Sequence, residues 1–137
     1  MVTSAEASGI RPLTRTRTSE YYVREDGVVV QSIVTPGKMS LDDARANIAL
    51  FEQLAEGEPR LVLVEMLATY TTEPGVREYY ASEAASRLVR AVAMVTPSAA
   101  GRIVGNFFLR MNQPGYPCKM FNDIDAAVAW LHEHERG

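Results

Sequence analysis

Two kinds of apolar pattern alternate along the chain and predict the order of its elements. Unbroken apolar runs occur at 61–64 and 91–95 and are bounded by proline or glycine, as in strands that are covered on both faces. Elsewhere, apolar residues recur at steps of three and four, as on one face of a helix. The resulting order, ββαβαβαβα, predicts a mostly parallel five-stranded sheet with one antiparallel strand and four helices.

The N-terminal half begins with a predicted hairpin and a capped helix. Residues 21–24 and 28–34 are rich in β-formers, and the three residues between Arg24 and Val28 end in glycine and are typical of a tight turn. Ser40 and Asp43 then have the spacing of a capping box, which predicts a helix. The other predicted elements are the end of this helix near Glu56, strands at 61–64, 91–95 and 119–121, and helices from Pro74 to just before Arg90, from Ser98 to about Asn112, and from Asn122 or Asp123 onward.

The stretch 61–72 is the predicted centre of the fold and the first place to look for function. Its apolar run changes at Glu65 into a segment with threonines and one tyrosine. Loops that leave the carboxyl ends of parallel strands form the usual binding crevice of an open α/β sheet. We therefore expect a site among residues 65–73, where Glu65 is the best acid/base candidate and Glu73 its candidate partner.

Composition narrows the class of protein. The 137 residues are 47% hydrophobic and 23% charged, which fits one globular domain at 19–137 that needs neither a disulfide nor a structural metal. The net charge of -3 argues against a general nucleic-acid binder. No apolar segment approaches the roughly 20 residues of a membrane span, and no signal-peptide core is present, so we expect a cytoplasmic protein. The only basic cluster lies in residues 1–18, a segment that has no apolar periodicity. We predict that this segment is a flexible tail, with a transit peptide as the alternative.

Several short pieces of the chain carry a family resemblance. They are Gly27 to Val29, Leu41 to Ala44, Leu61 to Met66, Ala91 to Val95, Gly105 to Leu109, and Pro117 to Phe121 followed by Ala126 to Leu131. Through these pieces and the order of elements, residues 20–134 resemble the STAS or SpoIIAA-like group, and more narrowly its small uncharacterised bacterial proteins. The resemblance implies a SpoIIAA-like α/β fold and a regulatory module that binds a protein partner. The group is also fold-related to the CRAL/TRIO lipid-binding domains, which makes a small-molecule or lipid ligand the alternative.

The main departure from that group falls in the central stretch. Antagonist-type members carry an Asp-Ser-Ser/Thr-Gly motif after the corresponding strand, and its serine or threonine is phosphorylated. Here the strand ends Glu65-Met66-Leu67-Ala68, so this switch does not carry over. Thr69, Thr71 and Thr72 lie downstream and could accept phosphate, but loop hydroxyls and helix caps explain them better.

An anion site is one candidate near the third helix. Ser98 and Arg102 stand at its start, where amide groups and a cation could meet an anion, and Arg77 could join them from the second helix. Against this site, no Gly-rich phosphate loop is present, and Glu65 and Glu73 would repel phosphate. Ordinary capping and a surface arginine explain the pattern more simply.

An apolar pocket is a second candidate. Tyr70, Tyr79, Tyr80 and Phe107 could line one at the mouth of the sheet, although aromatic residues at helical spacing more often belong to a core. Asn106 interrupts the apolar third helix and either faces a ligand or bonds a neighbouring loop. That helix is apolar over a wide arc, which favours self-association as a homodimer.

Three functions follow in order: a non-catalytic binding or regulatory module acting through protein contacts, a small-molecule or lipid binder, and an enzyme that uses Glu65. No cofactor or metal site is predicted, because the only cysteine, Cys118, lies in a short apolar run and His132 and His134 point in different directions on a helix. The residues expected to contact a ligand or partner are Glu65, Thr69, Tyr70, Thr72, Arg77, Tyr80, Ser98, Arg102, Asn106 and Phe107.

Overall fold

The computed structural model describes residues 14–68, 70–96, 98–99, 101–103, 106 and 115–135. The strands are β1 (Thr14–Arg15), β2 (Ser19–Val23), β3 (Val29–Ile33), β4 (Gly37–Met39), β5 (Arg60–Met66), β6 (Tyr70–Thr72), β7 (Val89–Val95) and β8 (Cys118–Phe121). The helices are α1 (Leu41–Ala55), α2 (Val76–Tyr80), α3 (Glu83–Ser86) and α4 (Ile124–His132). Between β7 and β8, the described residues 99, 101–103 and 106 are also helical.

Six strands form one mixed sheet in the order β1-β2-β3-β5-β7-β8. Strands β3, β5, β7 and β8 run parallel to one another. Strand β2 pairs antiparallel with both β1 and β3. The predicted α/β class and the mostly parallel sheet with an N-terminal hairpin are confirmed. The sheet has one more strand than predicted, because β1 pairs along the outer edge of β2.

A second, two-stranded parallel sheet was not predicted. In it β4 pairs with β6, so that Gly37 lies opposite Tyr70 and Met39 opposite Thr72. Each strand has only three residues, which is too short to show the alternation by which strands are recognised in a sequence. This pairing fixes the backbone of the polar segment that follows β5.

Residues 14–18, which we assigned to the tail, lie against the sheet and α1. Thr14 pairs with Tyr21 in the β1–β2 ladder. The Arg17 guanidinium donates to both carboxylate oxygens of Asp43, with Nε 2.7 Å from Oδ1. This hydrogen bonding holds the pKa of Asp43 well below its usual value. The rest of the predicted tail, residues 1–13, is outside the described residues.

The predicted second helix is two short helices instead. α2 ends at Tyr80, and Ser82 caps α3 with an extended backbone, φ −67° and ψ 159°. The Ser82 hydroxyl donates to the carbonyl of Tyr79 at 2.6 Å and accepts from the amide of Ala85 at 3.4 Å. A serine that bonds nearby backbone groups in this way competes with the helix and separates the two pieces.

The two faces of the sheet are packed differently. Leu61 and Leu63 of β5 point to the face that is covered by α4, where Ala127 and Leu131 are completely buried. Val62 and Val64 point to the opposite face, toward Phe51 of α1. Alternate residues of a strand face opposite sides of a sheet, so each strand contributes to both layers.

Candidate functional site

A cavity of about 540 Å³ lies on the α1 face of the sheet. Its floor is formed by apolar side chains of β3, β5 and β7, among them Val64 and Val92, and its walls include Phe51 of α1 and Ala85 of α3. The volume corresponds to about 18 water molecules at about 30 Å³ each. It is within the range of sites that hold small organic ligands.

The cavity exists because short helices cover this face. α2 and α3 have five and four residues, and the capped break at Ser82 turns the chain between them. α2 packs on α1 through Val76, which joins Met39 and Ala44 in a small core of its own, and α3 packs on β7. On the α4 face, by contrast, alanines and leucines close the space between sheet and helix.

Four tyrosines of the described chain line the cavity: Tyr21, Tyr70, Tyr80 and Tyr116. Burial raises the pKa of each of these phenols, to about 12 for Tyr80, so all four are neutral at physiological pH. The Tyr116 hydroxyl donates to the carbonyl of Tyr80 at 3.3 Å. The hydroxyls of Tyr21 and Tyr70 make no hydrogen bond to any other described residue.

Asn47 fixes the polar side of the cavity. Its side chain is 1% exposed, and its amide nitrogen donates to the hydroxyls of Tyr80 and Thr18, both at 3.1 Å. Its amide oxygen accepts from Thr16 at 2.6 Å and from Thr18 at 3.4 Å. The segment 14–18 therefore helps to position a residue of the cavity wall.

Arg77 is the only charged side chain among the described residues that line the cavity. It is exposed on α2 and thus lies at the rim. The Cys118 thiol also faces the cavity, and burial raises its pKa to about 12. A thiol in this state is a poor nucleophile, since the thiolate is the reactive form.

Glu65 lies on the other face of the sheet, away from the cavity. Its side chain is 6% exposed, and its Oε1 accepts a hydrogen bond from the Ser32 hydroxyl at 3.0 Å. Glu73, the predicted partner carboxylate, accepts from the amide of Leu41 at the start of α1 instead. The structure does not bring these two carboxylates together.

Ser98 and Arg102 make capping contacts at the start of the helical segment after β7. The Ser98 hydroxyl accepts from the amide of Gly101 at 3.0 Å, and Arg102 Nη1 donates to the carbonyl of Thr96 at 3.0 Å. Asn106 is exposed. These contacts match the simpler explanation of the Ser98–Arg102 pattern.

The predicted site residues thus separate into groups. Tyr70, Thr72, Arg77 and Tyr80 surround the cavity, and Thr69 and Phe107 are outside the described residues. Sequence reasoning missed Tyr21, Gln31 and Asn47. For Asn47 a signal was present, since it stands three residues after Ala44 and four before Phe51, on the apolar stripe of α1.

Among the described residues, three large apolar side chains are exposed. Val34 follows β3, Leu67 follows β5, and Ile103 lies in the helical segment after β7, with exposures of 38%, 63% and 71%. The amide of Leu67 donates to the carbonyl of Ile33 at 3.1 Å, so the carboxyl ends of β3 and β5 are adjacent.

Within the described ranges, no helix combines the length and the apolar character that crossing a bilayer requires. In the same ranges, no three histidine, cysteine or acidic side chains are grouped as metal ligands.

Comparison with known proteins gives a family and a fold. Residues 21–135 match the model of a family described as a domain of unknown function, DUF7793. An uncharacterized protein of the DUF3478 family from Shewanella loihica PV-4, described as having a SpoIIAA-like fold, aligns with a TM-score of 0.56 at 15% identity, over 88% of this chain and 90% of that one. At this identity the likeness establishes the fold alone, and that fold is SpoIIAA-like.

Two other comparisons give no information about function. A protein of unknown function from Arthrobacter sp. FB24 is 23% identical over 86% of this chain and 95% of that one, with a TM-score of 0.29 that carries no argument. No curated protein matches the sequence.

Proposed function

Since the chain belongs to the DUF7793 family of domains of unknown function, we propose that it is a non-catalytic module that binds a small, mostly apolar molecule in the cavity on the α1 face. The cavity itself carries the proposal. Its volume of about 540 Å³ and its mostly apolar lining with a few polar groups are typical of sites that bind small organic molecules.

The energetics favour an apolar occupant. Water in such a space touches the side chains of Val62, Val64 and Val92, which offer it no hydrogen bonds. A ligand that displaces this water gains roughly 25 cal/mol for each Å² of apolar surface removed from solvent. The tyrosine hydroxyls and the rim arginine, Arg77, are the few polar groups that would orient it.

The chemistry of the lining argues for binding rather than catalysis. Acid/base catalysis needs a group whose pKa lies near the working pH. The described lining contains no carboxylate or imidazole, and burial moves the pKa values of its tyrosines and of Cys118 away from neutrality. Turnover of any substrate that Glu65→Gln abolishes would contradict this reading.

An uncharged fluorescent probe tests the proposal. N-phenyl-1-naphthylamine brightens in apolar surroundings and should bind the wild-type protein saturably. Val64→Phe adds four carbons to the cavity floor and should abolish that binding, while Leu67→Ser, which removes an exposed apolar side chain, should leave it unchanged. Loss of binding in Leu67→Ser but not in Val64→Phe would place the probe on the surface and refute the proposal.

Native mass spectrometry of the purified protein supplies an independent readout. A bound molecule that is released on denaturation would support the proposal and identify the ligand. A mass equal to that of the bare chain, together with no probe binding, would count against it.

A second candidate function is contact with a protein partner or with another copy of the chain. It is favoured by the exposed side chains of Val34, Leu67 and Ile103, which all follow the carboxyl ends of parallel strands. Sedimentation equilibrium of the wild type and of the Leu67→Glu/Ile103→Glu variant tests self-association. A dimer that dissociates in the variant supports this function, and equal masses for both proteins exclude self-association through this edge.

A further inference from the structure

The hydroxyl of Tyr21 has no hydrogen-bond partner among the described residues and borders the cavity. The side chain is 2% exposed, on β2, and it lines the cavity. Within the described residues, no side-chain oxygen or nitrogen is both shielded from solvent and unpaired, so this hydroxyl is open to the cavity and available to a ligand.

Gln31 supplies a complementary group directly beside it. The two residues are opposite one another in the antiparallel β2–β3 pair, where facing Cβ atoms are about 4.5–5.5 Å apart. The Gln31 amide nitrogen donates to the buried hydroxyl of Ser19 at 3.0 Å, which orients the side chain. Its amide oxygen makes no hydrogen bond to another described residue and also borders the cavity.

From this pair we infer that the cavity has a hydrogen-bonding subsite for the hydroxyl group of an uncharged alcohol or phenol. A hydroxyl is the simplest group that both donates and accepts, so it can donate to the Gln31 amide oxygen and accept from the Tyr21 phenol. The inference rests on the proposed function, since it requires that a ligand enters the cavity. It adds the class of ligand and the end of the cavity at which the polar group lies.

Charge distribution separates this class from ionised ligands. The Tyr21 phenol is neutral, because burial raises its pKa well above the usual value. A carboxylate or ammonium at this depth would be desolvated without a countercharge, which is costly. The charged residue of the described lining, Arg77, is exposed on α2, so an anionic group would be drawn to the rim instead.

Three compounds with one skeleton test the subsite by displacement of N-phenyl-1-naphthylamine. 2-Naphthol carries the hydroxyl, 2-methylnaphthalene replaces it with a methyl of similar size, and 2-naphthoate carries a charge. We compare the ratio of the 2-naphthol affinity to the 2-methylnaphthalene affinity, because the difference in hydration of the two free compounds cancels between protein variants. Loss of one hydrogen bond should lower this ratio roughly three- to tenfold in Tyr21→Phe.

A matched control is available on the same strand. Tyr22→Phe removes the same atom from the α4 face of the sheet, and the ratio should stay at its wild-type value. Gln31→Leu removes the acceptor and should lower the ratio as Tyr21→Phe does, which keeps the test decisive if Tyr21→Phe fails to fold.

The outcomes separate the two proposals. Displacement by both uncharged compounds, with a ratio that Tyr21→Phe and Gln31→Leu leave unchanged, overturns the hydroxyl subsite and leaves the cavity binder standing. Tightest binding by 2-naphthoate also overturns the subsite. A probe that the protein does not bind at all refutes the proposed function itself.

Discussion

Adding carbon atoms to the two faces of β7 tests the cavity independently of any ligand. Val92 points into the cavity, and its neighbour Ala93 is completely buried against the α4 face. Val92→Ile adds one methylene group to open space. Ala93→Val adds two carbons where α4 already lies against the strand.

The expected changes in the free energy of unfolding have opposite signs. A buried methylene contributes about 0.8 kcal/mol, so Val92→Ile should raise the stability by up to that amount. Overpacking a filled core costs about 1–3 kcal/mol, so Ala93→Val should lower it. Intrinsic strand propensity opposes the second expectation, because valine is preferred to alanine in strands. The contrast therefore measures space rather than propensity.

Equilibrium unfolding in urea gives both values. Trp130 is the only tryptophan and packs at 5.6 Å from the Phe121 ring, so its fluorescence reports the loss of the α4 face, while far-UV circular dichroism reports the whole fold. Equal m-values would show that only stability has changed. If Val92→Ile destabilises the protein by about as much as Ala93→Val, by about 1–3 kcal/mol, the space beside Val92 is filled and the reasoning fails.

Three further predictions concern hydrogen bonds and ion pairs. Asn47→Ala should lower the free energy of unfolding by about 1–3 kcal/mol, measured in urea, because it leaves a buried partner hydroxyl without its hydrogen bond. Arg17→Met should move acid unfolding to higher pH. The lowered pKa of Asp43 stabilises the fold at pH values above the pKa in the unfolded chain, ~3.9, and this stabilisation is lost as the pH falls through the pKa in the folded protein. His132 is hydrogen-bonded to Asp26 at 3.0 Å, and this contact raises its pKa. The stabilisation by His132 is therefore complete below about pH 6.5 and is lost as the pH rises through the pKa in the folded protein. His132→Gln should remove this pH dependence from a series of melting temperatures.

Each of these variants has a control in the chain. Gln53→Ala changes an exposed amide on α1 and should leave stability within about 0.5 kcal/mol. Arg45→Met removes an exposed arginine next to Asp42 and should not move acid unfolding as Arg17→Met does. His134→Gln should preserve the pH dependence. A control that changes as much as its test variant would contradict the assigned contact.

The elements with local signals were predictable. The hairpin turn at Gly27 needs a positive φ, which is +89°, and glycine adopts such angles without strain. Ser40 and Asp43 form the complete capping box that their spacing predicts. The apolar runs of β5 and β7 mark the parallel strands at the centre of the sheet, because strands with two covered faces have near-continuous apolar sequences.

The cavity could not be predicted, because it depends on how elements meet. Both faces of β5 are apolar, so the sequence does not tell which face is filled and which is open. The regular spacing of Val76 and Tyr80 continues past Ser82 and hides the break between α2 and α3, the short helices that border the cavity. Glu65 was predicted to belong to the site because it lies at the end of the central strand. Side chains alternate along that strand, however, and Glu65 lies on the α4 face.

Methyl NMR of β5 during titration with N-phenyl-1-naphthylamine tests the central claim most directly. Val62 and Val64 line the cavity, and Leu61 and Leu63 face α4 on the same strand. The account predicts saturable shifts of the valine methyl signals with smaller changes at the two leucines. Shifts at Leu67 and Ile103 with none at Val62 and Val64 would place the ligand on the exposed edge and contradict the proposed binding cavity.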